Sequence, residues 1–208
     1  MFRVKALIVL CLTVLFLAVS CIIAGEGHRE EFSKTLPLKA GQRFSLENVN
    51  GSVSLTTWKE DKVEIKAVKT SRRGEEELAK VEIRVEESAG GVSVKAVWPK
   101  FPRRARVSVE FEVRAPEDIV LDGVGTVNGS VEVSGRFERG DIGTTNGNVT
   151  VAGGSGELEV STTNGGIRVR RFDGRVAART TNGNIRLEGL TFGGGLSAGT
   201  TNGSITVS

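Results

Sequence analysis

The sequence predicts an all-β chain, a parallel β-solenoid with 18-residue coils preceded by mainly antiparallel β-strands. Three observations predict it. Asn-Gly recurs at Asn128, Asn146, Asn164 and Asn182 with a spacing of 18, and again at Asn202 after a slightly longer interval. Apolar and polar residues alternate with period two through most of the chain, the signature of strands with one buried face rather than of helices. Of the 27 glycines, 20 lie from Gly123 onward, which suits closely repeated turns and opposes helix.

Residues 1–24 read as a leader. Arg3 and Lys5 precede 19 uncharged, mostly apolar residues from Ala6 to Ala24, and the flank beyond carries Glu26, Arg29, Glu30 and Glu31. That charge order keeps the N-terminus on the cytoplasmic side and sends the rest outside. The apolar run is longer than the usual signal core of roughly 7 to 15 residues and reaches the roughly 18 that span a bilayer. Leu17-Ala18-Val19-Ser20-Cys21 resembles a lipobox, with Ala18 where leucine is more usual, and makes Cys21 the candidate lipidation site. Acylation at Cys21, cleavage after Ser20 or Ala24, and retention as an anchor are the three routes left open. Cys11 is the only other cysteine, so no disulfide staples the exported fold.

Residues 25–30 read as a linker and 31–208 as the folded domain, with alternating strands over 31–122 and Asn-Gly coils over 123–208. In the front part the runs from Lys62 to Val68, Val81 to Glu86, Val92 to Val97 and Arg106 to Arg114 place apolar residues on one side and charges on the other. Between them, Ser71–Glu77, Ser88–Gly91 and Pro99–Arg104 supply turns, and Glu75 to Lys80 has room for one helical turn.

In the repeats, the fourth position from each asparagine is Val131, Val149, Ile167, Ile185 or Ile205, and the sixth is Val133, Val151, Val169, Leu187 or Val207. A third apolar column is Ile142, Val160, Ala178 and Ala198, with Gly140, Leu158, Val176 and Leu196 two positions earlier. Two short strands bury no core alone, so the units must stack. Stacking predicts an asparagine amide ladder and a neighbouring ladder of Thr-Thr pairs, Thr144-Thr145, Thr162-Thr163, Thr180-Thr181 and Thr200-Thr201. Glycine and asparagine in the turn are expected to supply positive φ. Asn50-Gly51-Ser52-Val53 repeats the motif well upstream of Asn128, which makes the front half a modified first part of the same solenoid.

The segment from Asn48 to Trp58 (Asn-Val-Asn-Gly-Ser-Val-x-Leu-x-x-Trp), the Arg-Ala-Pro step at Arg114 to Pro116 and the serial Thr-x-Asn-Gly coils resemble the bacterial adhesin-like β-repeat family over roughly residues 31–208. Its members are mostly uncharacterised envelope proteins. The resemblance implies the solenoid fold and carries no catalytic residue with it.

The function classes narrow by inventory. Lys+Arg is 28 and Asp+Glu 25, and removing Arg3 and Lys5 takes the net charge from +3 to +1, too neutral for nucleic-acid binding. His28, placed in the linker, is the only histidine, and with two leader cysteines this inventory excludes most His- or Cys-based catalysis and zinc binding. The turns carry neutral Asn and Thr where calcium-binding rolls carry aspartate, so neither metal nor cofactor is expected. Asp141, Glu159 and Asp173 are read as scattered over different repeat positions, which argues against a glycan-processing β-helix enzyme.

Two surface candidates remain. Arg168 and Arg186, with Arg170, Arg171, Arg175 and Arg179 near them, form a basic stripe interrupted by Glu132, Glu157, Glu159 and Glu188; Trp98 to Arg106 mixes aromatic and basic residues. The coil ending at Ser208 is expected to leave strand edges open to end-to-end association or β-augmentation. The reading is an exported, lipid- or membrane-anchored, non-catalytic envelope protein that presents a solenoid to a protein or glycan partner. A self-assembling scaffold that stacks through solenoid ends, a possible homo-oligomer, is the alternative within binding proteins.

Overall fold

The computed structural model describes residues 27–99, 106–191 and 193–208. Each repeat folds as one long and one short strand, because the Asn-Gly corner and a second corner, marked by Gly135, Gly153, Arg171 or Gly189, interrupt the alternation. The five coils are β8 (Ile119–Asn128) with β9 (Val131–Ser134), β10 (Phe137–Asn146) with β11 (Val149–Ala152), β12 (Ser155–Asn164) with β13 (Ile167–Arg170), β14 (Asp173–Asn182) with β15 (Ile185–Glu188), and β16 (Leu196–Asn202) with β17 (Ile205–Val207). The long strands pair in parallel in an eight-stranded sheet and the short ones in a nine-stranded sheet. Register shifts by one coil at a time, so Asn146 pairs with Asn164 and Val149 with Ile167.

The front half continues both stacks. β2 (Arg43–Glu47) and β3 (Val53–Trp58) add in parallel to β8 and β9, with Asn50 bridged to Asn128. β6 (Gly91–Val97) and β7 (Ser108–Pro116) add in parallel to β2 and β3, making a further layer without an Asn-Gly corner. The remaining front strands run antiparallel. β1 (His28–Pro37) and β4 (Lys62–Ser71) extend one sheet beyond β7, and β5 (Glu82–Ser88) borders β6. The helical turn α1 (Glu75–Leu78) falls within the stretch the sequence allowed for it. β1 starts at His28, so residues 28–30 are strand where a linker was expected.

One core runs the length of the stack between the sheets. Val124, Ile142, Val160 and Ala178 form one buried column, and Val53, Val131, Val149, Ile167 and Ile185 another. Each valine or isoleucine in these columns contributes roughly 1.5–3 kcal/mol of hydrophobic stabilisation. Where Gly140 interrupts a column, Phe137 fills the gap, its ring standing 3.0 Å from where a Gly140 Cβ would be.

The corner works differently from the expected turn. No asparagine among the described residues has positive φ; the only non-glycine residues there that do are Asp118 and Arg171. The asparagines serve through their side chains: Nδ2 of Asn128, Asn146, Asn164, Asn182 and Asn202 each donates to Oδ1 of the asparagine one coil earlier at 2.7–2.8 Å. Gly51, Gly129, Gly147, Gly165, Gly183 and Gly203 stack beside this ladder so closely that a Cβ on Gly147 would stand 2.0 Å from the Gly129 carbonyl oxygen, and on Gly165 1.8 Å from that of Gly147. Glycine is required there by the backbone of the neighbouring coil.

The threonine ladder is also corrected. Only the first member of each pair turns inward, and Thr126, Thr144, Thr162, Thr180 and Thr200 donate their hydroxyls to the carbonyls of Gly51, Gly129, Gly147, Gly165 and Gly183 at 2.9–3.1 Å. A buried hydroxyl needs a partner, and the corner glycine offers one.

Gly147→Ala is expected to lower stability by about 2–3 kcal/mol, because the obstructing atom is backbone. Gly199→Ala, with no atom within 4 Å of its added Cβ, is expected to change it by less than about 0.5 kcal/mol. Denaturant unfolding of the two variants checks both values.

Candidate functional site

Pleating turns alternate residues of every strand outward, so the coil register also writes columns on the two outer faces. On the eight-stranded face, Arg139, Glu157 and Arg175 align on β10, β12 and β14. Glu157 lies 3.1 Å from Arg139 and 3.8 Å from Arg175, and Arg179 reaches Glu159 at 3.4 Å. These groups are exposed, and each pair is worth at most about 1 kcal/mol.

The acidic residues are not all scattered. Asp141 and Glu159 stand one repeat apart in the chain and pair in register, and Asp122 pairs with Asp141 from the preceding coil. Only Asp173 is elsewhere, opposite Ser155. Partial burial against the strands holds the Asp141 carboxyl above its ordinary range, and repulsion from Glu159 and Asp122 adds to this. The shallow groove around Asp141, Glu157 and Glu159 is lined by residues of β10, β12 and β14 alone. The two carboxylates therefore stand side by side on one sheet, with no second wall to place them on opposite sides of a glycosidic bond. Among the described residues, no three His, Cys, Asp or Glu side chains are grouped to hold a metal ion.

On the nine-stranded face, Arg168 and Arg186 are register partners on β13 and β15, and both are exposed. Arg170 lies one pleat along β13, and Arg171 occupies the following corner. Arg175 and Arg179 belong to the other sheet, so the six arginines read from the sequence as neighbours are divided between two faces.

Of the aromatic-basic segment, Trp98 is half-buried and packs against the core, while residues 100–105 lie outside the described residues. Cys21 also lies outside them. The coil of β16 and β17 turns Leu196, Ile205 and Val207 to solvent at 37%, 42% and 48% exposure, whereas Val176, Ile185 and Leu187, one coil back, are at most 1% exposed. Among the described residues, no helix is long and apolar enough to cross a membrane.

The repeat architecture has a match at the level of family: the model for Toastrack DUF4097 covers residues 17–208. The chain belongs to the Toastrack DUF4097 family. No curated protein matches it. Among solved structures, the chain is similar to a candidate cell adhesion protein from Clostridium sporogenes, with 10% identity, TM-score 0.42, and coverage of 85% of this chain and 98% of that one. It is also similar to a candidate adhesin from Bacteroides fragilis, with 12% identity, TM-score 0.37, and coverage of 86% and 97%. A candidate lipid binding protein from Parabacteroides distasonis shows 10% identity, TM-score 0.27, and coverage of 85% and 96%.

The stacked carboxylates have a measurable consequence. A carboxyl whose folded pKa is raised loses stability as pH climbs from its unfolded pKa through the folded one. Asp141→Asn is therefore expected to raise Tm at pH 7 and to lose that advantage as pH falls below about 4, where the carboxyl is protonated in both states. Thermal melts of the two proteins across that range check the sign.

Proposed function

We propose that this Toastrack protein is a non-catalytic, exported envelope module that presents its solenoid faces to a protein or glycan partner and is held at the membrane through its leader or a lipid on Cys21. The observation that carries this reading is the pair of outer faces, whose side chains are spaced by coil register over a backbone locked by the asparagine ladder. Such a scaffold offers preorganised polar contacts at low ordering cost. The leader supports export, with its two basic residues followed by 19 uncharged ones. The one-walled setting of Asp141 and Glu159 weighs against glycan hydrolysis.

Intact-mass measurement of membrane-extracted protein tests the anchoring. A species that begins at Cys21 and carries acyl chains is the expected result, and Cys21→Ser is expected to abolish it. A leader removed with no lipid added, together with recovery in the soluble fraction, contradicts it.

A second reading, assembly through solenoid ends, is favoured by the β16–β17 edge. β16 and β17 carry no charged side chain, whereas β1 carries Arg29, Glu30, Glu31 and Lys34 and β5 carries Glu82, Arg84, Glu86 and Glu87. Charged side chains on an edge strand oppose pairing with another sheet, and neither β16 nor β17 carries one. Light scattering after size exclusion is expected to show a concentration-dependent dimer that Val207→Glu disperses. A strictly monomeric wild type at high concentration contradicts assembly.

A further inference from the structure

In the front half both sheets pair their arginines, Arg114 with Glu64 and Glu112 on the nine-stranded one, but among the coils the two outer faces differ. On the eight-stranded face, Arg43, Arg139, Arg175 and Arg179 each lie within 4 Å of a carboxylate oxygen. On the nine-stranded face, Arg168 and Arg186 stand as register neighbours on adjacent strands, roughly 4.8 Å apart at the backbone, where like charges repel. Glu188 reaches Arg186 at 3.7 Å, and among the described residues Arg168, Arg170 and Arg171 make no ion pair. With Glu188 counted, the cluster keeps a charge of about +3.

Arg171 adds an independent sign. In the other coils its corner is filled by Gly135, Gly153 and Gly189, all at positive φ, and Arg171 adopts φ 54 among them. A side chain at that conformation works against its own backbone, and such outliers gather at functional sites. Its stem crosses the next coil, with Cγ 3.9 Å from where a Gly189 Cβ would stand. The strained residue thus adds a fourth exposed arginine at the corner that borders the other three.

We propose that Arg168, Arg170, Arg171 and Arg186 form a docking patch for the phosphodiester headgroups of an anionic lipid bilayer. Guanidinium forks match phosphate oxygens two at a time. The choice of a bilayer over free phosphate rests on shape: the residues lie on one open sheet face and its corner, with no wall to enclose a small ion, and a plane of headgroups meets such a face. The choice also rests on the envelope location proposed above.

The test is co-sedimentation of the full chain with vesicles of phosphatidylcholine alone and with about a third phosphatidylglycerol. The leader, with its Arg3 and Lys5, is common to wild type and every variant, so the change in preference between them reads the patch. Wild type is expected to partition more strongly to the anionic vesicles, with the preference lost in about 1 M salt, where screening is complete within about 3 Å. Near such a surface each basic residue is worth about fivefold. The variant Arg168→Gln, Arg170→Gln, Arg171→Gly, Arg186→Gln is therefore expected to reduce the preference by more than about thirtyfold.

Arg139→Gln with Arg175→Gln removes two paired arginines from the other face and is expected to leave the preference within about threefold of wild type. Equal loss in both variants reduces the effect to net charge and overturns the proposal, as does an unchanged preference in the fourfold variant. Suppression by millimolar inorganic phosphate at constant ionic strength also overturns it, in favour of a free-phosphate site. Melting curves confirm that both variants fold. Vesicle preference in a chain found unanchored by intact mass refutes the anchoring and leaves the patch standing.

Discussion

At each Asn-Gly corner the backbone of one coil passes over the next with no room for a Cβ between them, and the rest of the structure depends on that contact. Gly129, Gly147, Gly165 and Gly183 stand in one file, each covering the carbonyl oxygen of the glycine before it. The corner carbonyls that would otherwise be buried without partners accept threonine hydroxyls, and the asparagine amides bridge the same gap from outside. Backbone, hydroxyl and amide are all satisfied only when coils differ by one full repeat. A slip of one residue would turn the valine and isoleucine columns to solvent.

That constraint makes the molecule nearly one-dimensional, with each coil stabilised by its neighbours and the two ends unlike one another. At the front, β1, β4 and β5 run antiparallel and bring charged side chains to the edges. At the other end, β16 and β17 present uncharged parallel strands and half-exposed apolar side chains. Between them the faces diverge by charge. Acid-base alternation neutralises the eight-stranded face around Glu157, and clustered arginine marks the nine-stranded face around Arg168 and Arg186.

The coils were legible because each residue type recurs at a fixed interval and performs the same task each time. The apolar columns at Val149, Ile167 and Ile185 and the stacking of Asn146 on Asn164 follow from counting. The parallel layer of β6 and β7 was not legible, because it lacks an Asn-Gly corner and joins the stack beside β2 and β3 rather than in chain order. The partner of each buried threonine was hidden for a related reason: its acceptor is a glycine carbonyl 15 to 17 residues earlier in the coils, which no side-chain pattern signals. The alignment of Asp141 with Glu159 was present in the numbering and was masked because the two residue types differ. Arg171 could have been found at the same stage, since it alone replaces glycine in the column of Gly135, Gly153 and Gly189.

The central claim, that coils lie in parallel register one repeat apart, is tested most directly by cross-linking. Thr150 and Arg168 are register partners, and cysteines there, with Cys11 and Cys21 replaced by serine, fall within the Cα separation of about 4.4–6.8 Å that a disulfide accepts. Under mild oxidation this pair should close to completion in the monomer, while cysteines at Thr150 and Arg170, displaced by one pleat, should remain reduced. Closure of the displaced pair in place of the aligned one, or of neither, would contradict the register and the architecture built on it.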